Sequence, residues 1–163
     1  MNIGIYEDVI EDVNSYKEDI LEEGFEDILI GKDLFKNVKA RGVDELIEFL
    51  FHAYPNYTPD LNFARCSPKD QEEPNFIHTD EMMGDLTAIL YLNENSPEED
   101  GTTLYHEGYI SCVLKARFNR LVVFNSDLYH SRNIYDNYGY AEDARLIQVV
   151  FLKKNKTMWL NQH

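Results

Sequence analysis

The sequence predicts a mostly β fold with N-terminal helices, and two textures of the chain carry that reading. Before residue 60 apolar residues recur at helical spacing. From Leu61 onward short β-like runs are separated by Gly, Pro, Asn and Asp turns, which points to an antiparallel sandwich or jelly roll. Size adds a third constraint: 163 residues with 44% apolar content suit one domain with its own core.

Met1 to Tyr6 reads as a short strand. Val9, Val13, Tyr16, Ile20 and Leu21 follow as a helical stripe with acidic residues on the other faces, and Gly24 ends it. The apolar run from Phe25 to Ile30 stops at the turn residues Gly31, Lys32 and Asp33. Val43, Leu46, Ile47, Leu50, Ala53 and Tyr54 form a second helical stripe, terminated by Pro55. We expect residues 1–60 to be helical support on one outer face of the later sheet. Residues 61–152 are expected to form the β core, and 153–163 a loosely held tail.

Strands are expected at 61–65, 75–78, 86–92, 102–105, 121–124, 131–135 and 145–152. The acidic stretch Glu94 to Asp100 reads as an exposed loop, as does Ser67 to Pro74. No internal repeat is visible.

Fifteen basic residues against thirty acidic ones give a net charge of −15, which opposes approach to a phosphate backbone. Nucleic acid is therefore not an expected partner. Cys66 and Cys112 are too few for a disulfide framework and form no metal-type cluster, so a reducing compartment is expected. The first residues lack a basic leader and no window approaches a membrane span, so a soluble, cytoplasmic protein is expected.

The chemistry is concentrated in three pieces. His78-Thr79-Asp80 places an imidazole and a carboxylate at i and i+2, on one face if the segment is a strand. A second imidazole from a distant strand would complete a two-His-one-carboxylate face, a ligand set suited to non-haem Fe(II). His130 is the natural candidate, following the apolar run Leu121 to Phe124 and the turn-like Asn125-Ser126-Asp127. Arg145 then sits inside an apolar strand, where a lone cation is costly and needs an anion. His52 lies in a helical stripe, His106 in a loop-like stretch and His163 at the end, and ordinary roles suffice for them.

This ordered set resembles the Fe(II)/2-oxoglutarate-dependent dioxygenases, in particular the prolyl-4-hydroxylase-like branch, over Leu61 to Leu152. Leu86 to Asn93, ending in Tyr-Leu-Asn, resembles the strand after the family's His-x-Asp; Asp100 to Leu104 resembles its Gly-rich strand; Arg120 to Asp127 resembles the strand and turn before the distal histidine. The resemblance implies a double-stranded β-helix, with His78, Asp80 and His130 as iron ligands. It assigns Arg145 to the distal carboxylate of 2-oxoglutarate and Tyr91 to the same carboxylate through its hydroxyl. The usual Gly-Gly is Gly101-Thr102 here. The interval from His130 to Arg145 is also longer than in many relatives, so Tyr135 to Tyr140 is expected to loop out and absorb it.

The implied reaction consumes 2-oxoglutarate and dioxygen and gives succinate, CO2 and a hydroxylated C–H bond. Related halogenases lack the carboxylate ligand, so Asp80 argues for hydroxylation. The branch implies a prolyl residue in a peptide or protein, while small molecules are served by the same scaffold. Two other classes compete: a catalytically silent jelly-roll binding module, and a cupin-like metalloenzyme that does not use 2-oxoglutarate.

Overall fold

The computed structural model describes residues 3–73, 75–133 and 136–156. The chain runs β1 (Ile3–Tyr6), α1 (Val13–Glu22), β2 (Glu26–Ile30), β3 (Asp33–Ala40), α2 (Glu45–Ala53), β4 (Tyr57–Ser67) and β5 (Leu86–Tyr91). It continues with β6 (Gly101–His106), β7 (Tyr109–Lys115), β8 (Arg120–Asn125), β9 (His130–Arg132) and β10 (Arg145–Lys154).

Local chemistry sets the helix ends. The Asp12 carboxylate accepts from Ser15 N at 3.2 Å, so α1 starts at Val13 and Val9 lies before it. Asp44 caps α2 in the same way through Ile47 N at 3.2 Å. Tyr54 leaves the helical region, as a residue before proline tends to do.

Seven antiparallel strands form one sheet in the order β1-β8-β5-β10-β4-β3-β2, and three form another in the order β7-β6-β9. Strand alternation gives the large sheet two different faces. On one, Phe63, Ile89, Tyr91, Val122, Phe124, Ile147, Val149 and Phe151 share a core cluster with Leu104 and Leu114 of the small sheet. On the other, Ala64, Ala88, Leu90, Leu121, Val123, Leu146, Val150 and Leu152 cluster with Ile20 of α1 and Leu46, Ile47 and Leu50 of α2. Gln148 interrupts this apolar face with a satisfied buried network: Nε2 donates to Asn62 Oδ1 at 2.7 Å and to Asp44 Oδ2 at 3.3 Å, and Tyr16 donates to its Oε1. Leu50 is fully buried, so Leu50→Ala should cost about 2–5 kcal/mol, read as a lowered denaturant midpoint.

Several expectations change. Residues 1–60 hold two helices, but β1, β2 and β3 also belong to the large sheet; β3 was not anticipated. The strand β7 was also unanticipated. The 75–78 segment is no regular strand: His78 makes an isolated bridge to His130. The 131–135 strand is observed as His130–Arg132, with Ile134 and Tyr135 outside the described residues, as are Met1, Asn2 and most of the expected tail.

Gly101 stands at the start of β6 with φ 146°, and a Cβ there would lie 1.9 Å from Leu114 O. Backbone cannot move aside as a flexible side chain can. Gly101→Ala should therefore cost more than about 3 kcal/mol, or about 6–12 °C in Tm by thermal unfolding.

Candidate metal centre

His130 opens β9, and its backbone N and O pair with those of His78 at 2.9 and 3.0 Å. This two-bond bridge sets the imidazoles side by side, ring centroids 4.4 Å apart. Asp80 N donates to Ser126 O at 2.8 Å, fixing the carboxylate two residues further on. Asp80 Oδ2 then lies 2.9 Å from His130 Nε2, and Oδ1 lies 3.4 Å from His78 Nε2. One donor atom from each of the three residues falls within 4.8 Å of the others.

The histidines are oriented from behind. His78 Nδ1 lies 2.9 Å from Phe76 O and His130 Nδ1 lies 2.9 Å from Leu128 O. A carbonyl oxygen only accepts, so each Nδ1 carries a proton and each ring turns Nε2 toward Asp80, the arrangement found around metal-binding histidines. The electrostatics favour a cation at the same place. The hydrogen bond with Asp80 raises the pKa of His78 against burial. Burial would raise the Asp80 pKa, but hydrogen bonds from His130 and His78 outweigh it and hold the carboxyl far below its usual range.

These three residues line a cavity of about 200 Å³ between the sheets, with Thr87, Ile89, Thr102, Ile147 and Phe151 among its walls. Arg145 lines it too. Its side chain is 8% exposed and its charged partner is Asp100, at 3.4 Å; among the described residues Nε has no hydrogen-bond partner. Ser67, paired with Arg145 across β4 and β10, also has a buried hydroxyl without a partner among them. A buried arginine on the cavity wall with an orphaned donor fits a carboxylate. The loop before β10 absorbs the long interval from His130, and Arg145 is the first residue of β10 in register with Ser67.

Tyr91 is buried, and its hydroxyl lies 2.7 Å from Thr102 Oγ1. Burial pushes its pKa up to about 12. It stands behind Thr102, which itself lines the cavity. His52 and His106 are exposed and take no part, while His163 lies outside the described residues.

Sequence reasoning missed Glu73, Asp100 and Tyr138. Asp100 was grouped with an exposed acidic loop but is 1% exposed. It accepts from Gly101 N and from Tyr138 at 2.8 Å each, and stands against Arg132 and Arg145. The signal was available in Arg145, whose burial demands an anion. Arg132, two residues past His130, is held by Asn137 Oδ1, Glu73 and Asp100.

No family model matches the sequence, and no curated protein matches it. Solved structures do. A prolyl hydroxylase from Trichoplax adhaerens, in complex with a hypoxia inducible factor peptide fragment, is 16% identical with a TM-score of 0.65, covering 93% of this chain and 83% of that one. The chain shares the fold of the 2-oxoglutarate-dependent oxygenases. The non-haem α-ketoglutarate-dependent epimerase SnoN from nogalamycin biosynthesis is 14% identical at TM-score 0.67, covering 93% and 77%. HygX from Streptomyces hygroscopicus, with nickel, 2-oxoglutarate and hygromycin B bound, is 11% identical at TM-score 0.60, covering 93% and 82%. No helix among the described residues is long and apolar enough to cross a membrane.

Proposed function

We propose that this protein is an Fe(II)/2-oxoglutarate-dependent oxygenase that hydroxylates a C–H bond. The observation that carries the reading is the convergence of His78, Asp80 and His130 on a cavity that the buried, under-partnered Arg145 also lines. His78 Nε2, His130 Nε2 and Asp80 would hold the iron, and Arg145 the distal carboxylate of 2-oxoglutarate. Iron held there would supply the oxidative chemistry that couples decarboxylation of the 2-oxo acid to hydroxylation, one atom of dioxygen going to succinate and the other to the product.

The chain's own part is to position and to exclude water. Phe76 O and Leu128 O lock the imidazoles. Ile89, Ile147 and Phe151 keep the cavity wall apolar, which strengthens the charge interactions inside it. Tyr91 acts by orienting the Thr102 hydroxyl toward the cosubstrate, or by reaching the carboxylate after Thr102 turns. Tyr91→Phe should raise the half-saturating 2-oxoglutarate concentration about 5- to 12-fold, the effect of one hydrogen bond of about 1–1.5 kcal/mol. An unchanged value would leave Tyr91 a core residue.

The function is tested by measuring succinate release against dioxygen consumption in protein supplied with Fe(II) and 2-oxoglutarate, with His78→Ala and His130→Ala alongside. The reading expects iron-dependent succinate that both variants lose. Unchanged metal content in His78→Ala supports a silent binding module; metal-dependent turnover indifferent to 2-oxoglutarate supports a cupin-like enzyme. A prolyl residue in a peptide is the substrate the resemblance names, and the cavity's charges bear on that choice.

A further inference from the structure

Beside the metal ligands and Arg145, the cavity contains a second pair of charges that the oxygenase reading does not use. Arg65 projects from β4 and Glu73 from the loop after it, and both line the same wall. Arg65 Nε lies 3.5 Å from Glu73 Oε1, too loosely placed to count as a hydrogen bond, and among the described residues it has no other partner although the atom is buried. The Arg65 side chain is 30% exposed, against 8% for Arg145, so it stands nearer the solvent side of the cavity.

Glu73 is held in place from behind. Gln71 Nε2 donates to its Oε1 at 2.9 Å, Asn137 Nδ2 reaches its Oε2 at 3.3 Å, and Arg132 stands 3.8 Å away. Arg132 lines the cavity as well, but its Nη1 donates to Asn137 Oδ1 and its Nη2 to Asp136 O, so it is tied to the neighbouring loop more than Arg65 is. Arg65 and Glu73 are thus two opposite charges fixed side by side, each with bonding capacity left over.

The charge balance says what they can accept. Of the charged side chains lining the cavity, Arg65, Arg132 and Arg145 are offset by Glu73 and Asp80, and by Asp100 behind Arg132 and Arg145, so the site is neutral before loading. A divalent metal and a doubly charged cosubstrate then cancel each other. An additional net charge in this half-buried space would be uncompensated, which is costly. A molecule that is neutral overall and carries a carboxylate and an ammonium is not, and it matches Arg65 with the one and Glu73 with the other. Phe35, Phe63 and Phe76 line the same cavity and supply an apolar surface for its hydrocarbon part; the Phe76 ring lies 5.0 Å from that of His78.

We propose that the substrate is a free α-amino acid, its carboxylate held by Arg65 and its ammonium by Glu73. The proposal rests on the oxygenase reading and names its substrate class. A peptide residue carries neither charge and would leave the pair unused.

The test uses the full chain with Fe(II) and 2-oxoglutarate under anaerobic conditions. The twenty free L-amino acids are added singly, each beside its N-acetyl amide, and the visible band of the chelated cosubstrate is followed; succinate formation is measured after admission of air. The expected result is that one or a few free amino acids shift the band and raise succinate formation at least tenfold, while the matching N-acetyl amides do neither. In Arg65→Met and Glu73→Gln, the half-saturating amino-acid concentration should rise at least ten times more than that of 2-oxoglutarate does. If the band forms but responds only to N-acetyl amides or a prolyl peptide, or if both variants respond as the wild type does, the proposal is overturned and the oxygenase reading stands. If no band forms in iron-loaded wild type, both fall.

Discussion

Replacing Asp80 with alanine is expected to abolish 2-oxoglutarate-dependent turnover while leaving the fold in place. Its carboxylate is the group that faces both imidazoles, with Oδ2 at 2.9 Å from His130 and Oδ1 at 3.4 Å from His78. Losing even an outer partner of a metal ligand costs about 10–100-fold in affinity or activity, so loss of a direct ligand should cost at least about 100-fold. The fold should survive because the backbone bond from Asp80 N to Ser126 O does not involve the side chain. Iron content and succinate formation, measured with an unfolding curve, check this. Full activity in Asp80→Ala would remove Asp80 from the ligand set.

Arg145→Ala should act on a different quantity. The guanidinium is buried, its partner Asp100 stands 3.4 Å away, and the remaining bonding capacity faces a cavity suited to a carboxylate. Truncating one member of a buried charge pair costs about 2–5 kcal/mol, which here means a rise of about 30- to 4000-fold in the 2-oxoglutarate requirement. The rate at saturating cosubstrate should fall less, because the metal ligands are untouched. Some stability should be lost as well, since Asp100 keeps Tyr138, Gly101 N and the more distant Arg132 but loses a cation. Arg145→Lys should recover part of the affinity. An unchanged requirement would pass the role to Arg132, which lines the same cavity. Arg120 is committed to Glu7 and to Lys115 O, and Arg117 is exposed.

The residues proposed to do the chemistry were the most legible part of the chain. His78, Asp80 and His130 are polar side chains set among β-like runs, and Arg145 opens the most apolar strand, so each stands out against its neighbours. The geometry behind them was less visible. The i, i+2 argument supposed a regular strand at His78, whereas the convergence comes from a two-bond bridge to His130 and one bond from Asp80 N to Ser126 O. No single-strand pattern encodes those bonds.

The strands that escaped notice have weak patterns for a physical reason. β3 lies beside a sheet edge and β7 at one, and β7 exposes Tyr109, Ile110 and Val113, so its apolar residues do not sort by burial. Asp100 and Glu73 escaped because a carboxylate in an acidic run reads as solvated. Asp100 is buried against Arg145, far away in sequence, and Glu73 is half-buried against Arg65 on the preceding strand.

The most direct test of the central claim is an anaerobic titration of metal-free protein with Fe(II) and 2-oxoglutarate, following the visible charge-transfer band of the chelated cosubstrate. The account predicts that the band appears in the wild type, is lost in His130→Ala, and needs far more 2-oxoglutarate in Arg145→Ala. Iron binding without the band in the wild type would contradict it.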